Sequence, residues 1–245
     1  MARILVLQHS SFGTPGRLGM TLRDHGFKLD IRRVDLPIDQ GGDPLPPDLD
    51  DVHGVVSLGG PQNTDQNLPW LTKEMQLLAD AHARDLPVVG ICLGAQLIAK
   101  TLGGKVTRMP KPECGFTKVR INPAGQTETI LAGVPWESFQ YQSHAWEVSE
   151  LPKGAQLLAS SETCKVQCFR AGMRTYAFQF HFEVDQPGIE RIAGDDPKIL
   201  EEACVSETQL EELTTKHYPR FSQIADRLSV NLASYAFPFS QLLAV

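Results

Sequence analysis

Residues 86–99 read Leu-Pro-Val-Val-Gly-Ile-Cys-Leu-Gly-Ala-Gln-Leu-Ile-Ala. The run 88–91 is apolar, β-branched and short, the pattern of a buried parallel strand. Leu97, Ile98 and Leu102 then follow at helical spacing, and Gly103-Gly104 marks a helix stop. Cys92 stands at the junction, with Gly90 and Gly94 two positions to either side. This is the Gly-x-nucleophile-x-Gly spacing of a tight strand-to-helix turn, where flanking side chains would collide with the turn. Such a turn lifts the thiol above the sheet and toward the orphan N–H groups of a helix N-terminus, which favour negative charge. The plainer alternative is a small buried hydrophobe, the commonest fate of a lone cysteine after an apolar strand.

The surrounding pattern supports an α/β chain. Strands are expected at 4–7, at 27–31 by alternation, and at 52–58. Helices are expected at 17–25 and 69–84, the latter with Leu71, Met75, Leu78 and His82 on one face. His82 reads as a flank of that face. Residues 35–51 hold four prolines and many acids, and form a loop because a strand pattern resumes at once. This alternation implies a parallel, doubly wound sheet, with ligands beyond the carboxyl ends of its strands. Cys92 and Gly59-Gly60 both lie at such ends.

The second half changes character. Strands are expected at 117–121, 139–142, 156–160, 166–170 and 175–181, with a hairpin loop at 171–174, so antiparallel strands extend the sheet and make it mixed. From Pro187 the pattern is helical. Ser206 and Gln209 fit a capping box, and Phe221, Ile224, Ala225, Leu228 and Leu232 form an apolar stripe. The expectation is one domain over 1–245, with 187–245 a helical C-terminal extension packed on it.

The chain's 245 residues carry a net charge of −6 and no basic run, which argues against nucleic acid as partner. Five cysteines without a Cys-x-x-Cys motif read as reduced thiols. Cys164 and Cys168 are not joined by further residues with zinc spacing, so no metal and no cofactor is expected. The N-terminal run is too short for a signal peptide or a membrane span, so a cytoplasmic protein with no membrane partner is expected.

A thiol nucleophile needs a base, an orienter for the base and donors for an oxyanion. His181 closes the last expected strand, and Glu183 stands two residues on, which can bring a carboxylate against the far imidazole nitrogen. A surface pair would give the same spacing. Gly59-Gly60-Pro61 can aim a free backbone N–H at a ligand, or serve as an ordinary turn. The N–H of Leu93, just after Cys92, is the second donor candidate.

Leu58-Gly59-Gly60-Pro61, Gly90-Ile91-Cys92-Leu93-Gly94-Ala95-Gln96 and Gln179-Phe180-His181-Phe182-Glu183, in that order, resemble the class I glutamine amidotransferases. The likeness is nearest to the amidotransferase part of GMP synthetase and its free-standing relatives. Glu113-Cys114-Gly115 and Ser143-His144 are similar to further motifs of that family, and the resemblance covers about residues 4–185. It implies a three-layer, flavodoxin-like α/β sandwich in which Cys92 attacks the side-chain amide of glutamine and releases ammonia. It also implies His181 as base, Glu183 as its orienter, Gly60 and Leu93 as oxyanion donors, and Gly59, Gln96 and Ser143 around the substrate. His144 is either part of that substrate shell or a loop histidine. The chain departs from the family pattern in two places. Phe182 replaces a proline that the chemistry does not need. Ala145-Trp146 replaces Gly-Asp, which removes a carboxylate suited to the substrate's α-amino group.

Nothing in the chain resembles an ammonia-accepting domain, and no phosphate-binding Gly-x-x-x-x-Gly-Lys loop occurs. Three functions remain open. The chain serves a separate ammonia-accepting synthetase subunit, or hydrolyses glutamine or γ-glutamyl compounds alone, or is a non-catalytic scaffold whose Cys92 senses oxidants.

Overall fold

The computed structural model describes residues 2–195 and 197–237, so the helical pattern expected at 238–245 lies outside the described residues. A nine-stranded sheet runs through the molecule in the order β2-β1-β3-β4-β9-β8-β7-β5-β6. Its first half is parallel: β1 (Arg3–Gln8) pairs with β2 (Lys28–Arg33) and β3 (Gly54–Ser57), β3 with β4 (Val88–Ile91), and β4 with β9 (Thr175–Phe178). The second half is antiparallel, continuing through β8 (Cys168–Ala171), β7 (Gln156–Ser160), β5 (Lys105–Ile121) and β6 (Glu137–Glu150). This is the mixed α/β sheet expected.

The side chains of β1 show how the layers form. Ile4 and Val6 face one core and Leu5 and Leu7 the other, because successive residues of a strand point to opposite faces. On the first face lie α1 (Gly16–Asp24), through Leu18 and Leu22, and α7 (Glu207–Asn231), through Phe221, Ala225 and Leu228. On the second lie α2 (Pro69–Ala83), through Leu71 and Leu78, and α3 (Leu93–Thr101), through Leu97 and Ile98. The expected stripe on α7 therefore packs inward, and the Ser206–Gln209 capping box closes its first turn in both directions, at 3.1 and 2.9 Å.

Two of the expected strands are much longer than their local patterns indicated. β5 begins at Lys105 rather than 117, and β6 runs over residues 137–150 rather than 139–142. Their mutual pairing is interrupted between Arg108 and Glu113, where Met109-Pro110-Lys111-Pro112 bulges out of register. Two prolines cannot donate to a ladder, which hid the continuity of this strand. The link between β5 and β6 holds α4 (Pro123–Gln126) and a 3₁₀ turn at Thr129–Leu131. β9 is shorter than expected, ending at Phe178. Its neighbour β4 ends at Ile91, so Gln179 turns to the Gln167 carbonyl and His181 to that of Tyr141, at 2.9 Å each. Two short helices, α5 (Gln186–Asp195) and α6 (Pro197–Ala203), follow. Among the described residues no helix is long and apolar enough to cross a membrane.

Candidate active site

β4 and β9 lie side by side in parallel, with Ile91 opposite Phe178. The chain leaves both strands at the same end of the sheet, and this brings Cys92 and His181 together. Cys92 has φ +52° and ψ −107°, a strained conformation for a residue with a Cβ, and it stands at the N-cap of α3. Its N–H bonds the Phe178 carbonyl at 2.8 Å, and the Gly94 N–H bonds that of Leu58 at 3.1 Å. The flanking glycines are required by contact. A Cβ on Gly90 would lie 2.7 Å from the Gly94 backbone, and one on Gly94 only 2.1 Å from the Ser57 carbonyl oxygen. Cys92 Sγ lies 3.7 Å from the Ser143 carbonyl oxygen and is 5% exposed.

His181 Nδ1 bonds Glu183 Oε1 at 2.7 Å, and both side chains are buried. With Nδ1 engaged, Nε2 is the ring nitrogen left for the sulfur of Cys92, whose charge favours the protonated imidazole. Burial pushes the imidazole pKa down, but the Glu183 carboxylate, and after it Cys92, hold it well above its ordinary value. Glu183 Oε2 has no hydrogen-bond partner among the described residues, so the carboxylate is devoted to His181. A Cβ on Gly59 would come 2.7 Å from His181 Cε1, so a side chain there would displace the ring.

The cleft over Cys92 measures about 240 Å³. Gly59, Gly60, Gln96, Ser143, His144 and Trp146 all line it, which gathers the sequence-derived site residues into one place. Leu93 opens the first turn of α3, where N–H groups have no partner within the helix. Gln96 commits its amide nitrogen to the wall, 2.9 Å from the Trp146 carbonyl and 3.2 Å from Gln179 Oε1.

His144 is no loop residue. It lies within β6 opposite Glu113 and is 4% exposed. Its Nδ1 faces the Trp146 carbonyl at 3.0 Å, and its Nε2 faces Glu113 Oε2 and Gln142 Oε1, both at 3.1 Å. Burial would raise the Glu113 carboxyl pKa, but the bond and charge of His144 outweigh it, helped by Thr163, so the pKa is lowered. His144 thus stiffens the wall that carries Ser143 and Trp146.

Sequence reasoning passed over two groups. Arg108 and Glu202 pair at 2.5 Å at the cleft mouth, joining β5 to α6 across a bulge that carries no local signal. His9, Ser57 and Glu74 form a buried cluster behind Gly59-Gly60. Its signal was available: Glu74 falls three residues after Leu71 and four before Leu78, on the apolar face of α2.

Fold and elbow together define an α/β protein with a thiol presented on a strand–helix turn. The chain belongs to the class I glutamine amidotransferase family, whose model, "Glutamine amidotransferase class-I", matches residues 17–188. A GMP synthase (glutamine-hydrolyzing) subunit of Thermoplasma volcanium is 38% identical over 138 residues, 56% of this chain and 65% of that subunit. The match thus spans just under two thirds of the subunit's own length. A putative glutamine amidotransferase-like protein, YfeJ, of Salmonella typhimurium is 29% identical over 208 residues, 82% of this chain and 84% of that protein. Among solved structures, a glutamine amido transferase from Methylobacillus flagellatus superposes with TM-score 0.81 at 26% identity, over 96% of this chain and 95% of that one.

Proposed function

We propose that the chain hydrolyses the side-chain amide of glutamine, or of a γ-glutamyl compound, through Cys92, His181 and Glu183. The observation that carries this reading is the His181 imidazole, held by Glu183 on Nδ1 and turned to the elbow thiol of Cys92. Cys92 Sγ attacks the amide carbon with its proton already resting on His181 Nε2. The oxyanion is held by the N–H groups of Gly60 and Leu93. Collapse breaks the C–N bond, and His181 gives its proton to the departing nitrogen, releasing ammonia and leaving a γ-glutamyl thioester. Water then attacks the thioester, its proton again taken by His181, and glutamate and the thiol are regenerated. Ser143, His144, Gly59 and Gln96 form the wall against which the substrate lies.

The similarity to the glutamine-hydrolyzing GMP synthase subunit supports a partner synthetase that consumes the ammonia. A second reading, a hydrolase acting alone on γ-glutamyl conjugates, is favoured by Trp146, a cleft-lining residue at the place where the resembling family carries an aspartate. The test is turnover by the isolated chain of glutamine and of γ-glutamyl dipeptides, followed by mass spectrometry for a γ-glutamyl adduct on Cys92. Glutamate release with an adduct on Cys92 supports the hydrolase. Turnover that survives Cys92→Ala would overturn it.

A further inference from the structure

Behind the Gly59-Gly60 turn lies a buried chain of polar groups that the proposed reaction does not touch. His9 immediately follows β1 and stacks on Trp70, ring centroids 5.2 Å apart. Its Nδ1 is 3.0 Å from the Leu58 carbonyl oxygen and its Nε2 is 2.8 Å from Glu74 Oε2. Glu74 Oε1 accepts from the Ser57 hydroxyl at 2.6 Å. His9, Ser57 and Glu74 are each 0% exposed. With Nδ1–H on the Leu58 carbonyl, Nε2 is left for Glu74, whose carboxylate favours the charged ring. Burial alone would push the His9 pKa down, and Glu74 outweighs it to leave the pKa raised.

A buried ion pair is a poor source of stability, because desolvation cancels most of its attraction and an apolar pair could fill the same space. What it supplies is direction. The Leu58 carbonyl is gripped from two sides, by His9 and by the Gly94 N–H. The Gly59 carbonyl, on the side of the turn that meets the segment after β1, where its oxygen would lie 2.9 Å from a Cβ on Gly13, also favours the charged His9 ring. The peptide bond is planar and trans, so a Gly59 carbonyl turned toward His9 forces the Gly60 N–H to point away from it. Gly59 and Gly60 line the cleft on the front of the turn, whereas His9 packs behind it, its Cβ 2.6 Å from where a Cβ on Gly60 would stand.

We propose that the buried His9–Glu74 pair, anchored by Ser57, sets the Gly59–Gly60 peptide so that the Gly60 N–H faces the cleft. His9 and Glu74 are then positioning residues for the oxyanion, which rests on the reading of Gly60 as a donor. The strand end that leads into the turn is held from behind by His9 and from α3 by the Gly94 N–H.

The test uses the full chain, with Glu74→Gln to remove the charge while keeping the shape, and Ser57→Ala as a milder variant should the first fail to fold. Four quantities are measured: kcat and KM for glutamine or the best γ-glutamyl dipeptide, the rate of Cys92 alkylation by iodoacetamide, and the Gly60 amide resonance. Alkylation is a displacement that forms no oxyanion, so it reports the thiol alone. In Glu74→Gln, kcat is expected to fall by roughly 10²-fold, the loss associated with one oxyanion donor. KM should stay within about twofold, the alkylation rate unchanged and the Gly60 resonance shifted. An unchanged kcat, or a kcat that falls in step with alkylation while the Gly60 resonance stays in place, overturns the proposal. A wild-type chain with no turnover of any substrate would instead refute the hydrolase reading, and the Gly60 resonance in the variant would still decide whether the pair aims the turn.

Discussion

Gly94 donates its backbone N–H to the carbonyl of Leu58, which ties the turn after Cys92 to the strand end leading into Gly59-Gly60. The two backbone segments proposed to face the oxyanion are thus one connected piece of structure, closed by the approach of α3 to β3. That approach leaves no room at Gly94, where a Cβ would lie 2.1 Å from a backbone oxygen. In an open helix, Gly→Ala gains about 1 kcal/mol. Here overpacking against immovable backbone reverses the sign, and Gly94→Ala should lose at least about 1–3 kcal/mol. Gly194 on α5, with nothing among the described residues within 4 Å of its would-be Cβ, is the control, and alanine there should be neutral or stabilising. Denaturant midpoints of the two variants check both signs.

Much of this arrangement was legible because its signals are local. Gly90, Cys92 and Gly94 fall within five residues, and each glycine answers to a contact that the turn itself creates. His181 and Glu183 are two apart, and β4 and β9 carry continuous apolar runs. The rest depends on pairings across long stretches of chain. Glu113 meets His144 only because β5 and β6 pair over most of their length, across a proline-bearing bulge that masks the strand period. Glu74 meets His9 across 65 positions of sequence. A charge on the buried face of α2 signals that some partner exists, but only the fold says which one.

The five cysteines differ in environment, and this sharpens what labelling should show. Cys114, Cys164 and Cys168 are buried, and burial pushes the thiols of Cys164 and Cys168 well up, away from the reactive thiolate. Cys204 is exposed, so a small unselective reagent should modify it too. A glutamine-like electrophile, which must first occupy the cleft, should label Cys92 ahead of Cys204. Cys92→Ala should abolish both that labelling and hydrolysis. Peptide mapping checks it, and equal labelling of Cys92 and Cys204 by the glutamine analogue would remove the special status of Cys92.

The His181 pair has a pH signature. Because the folded imidazole pKa is raised above 6.5, the charged form stabilises the fold. That contribution is complete below about pH 6.5 and is lost as pH rises through the folded value. The His9 pKa is raised as well and contributes with the same sign, so the wild-type profile alone mixes the two. The difference between wild type and Glu183→Gln isolates His181. It should be largest at about pH 5–6.5 and shrink toward alkaline pH. Urea midpoints across this range are the measurement, and a difference that grows with pH would mean that Glu183 does not favour the imidazolium. His181→Ala should also cost more activity than Glu183→Ala, since it removes the proton carrier itself, worth about 10²–10⁴-fold.

Trp146 separates the two substrate readings. Its carbonyl is held by Gln96 at 2.9 Å and by His144 at 3.0 Å, so the backbone of this cleft-lining residue is fixed. An indole offers apolar area to a peptide or conjugate extending from the γ-glutamyl group, and no opposite charge to a free ammonium. A carboxylate at the same position would do the reverse. The side chain can be exchanged without disturbing either backbone bond, so Trp146→Asp tests preference rather than folding. Hydrogen bonds to charged groups contribute about 1.5–3 kcal/mol, so the variant should raise kcat/KM for glutamine relative to a γ-glutamyl dipeptide by about tenfold or more. The competing result is a ratio that does not move. In that case the α-amino group is met elsewhere, with Glu202 at the cleft mouth the next carboxylate to substitute.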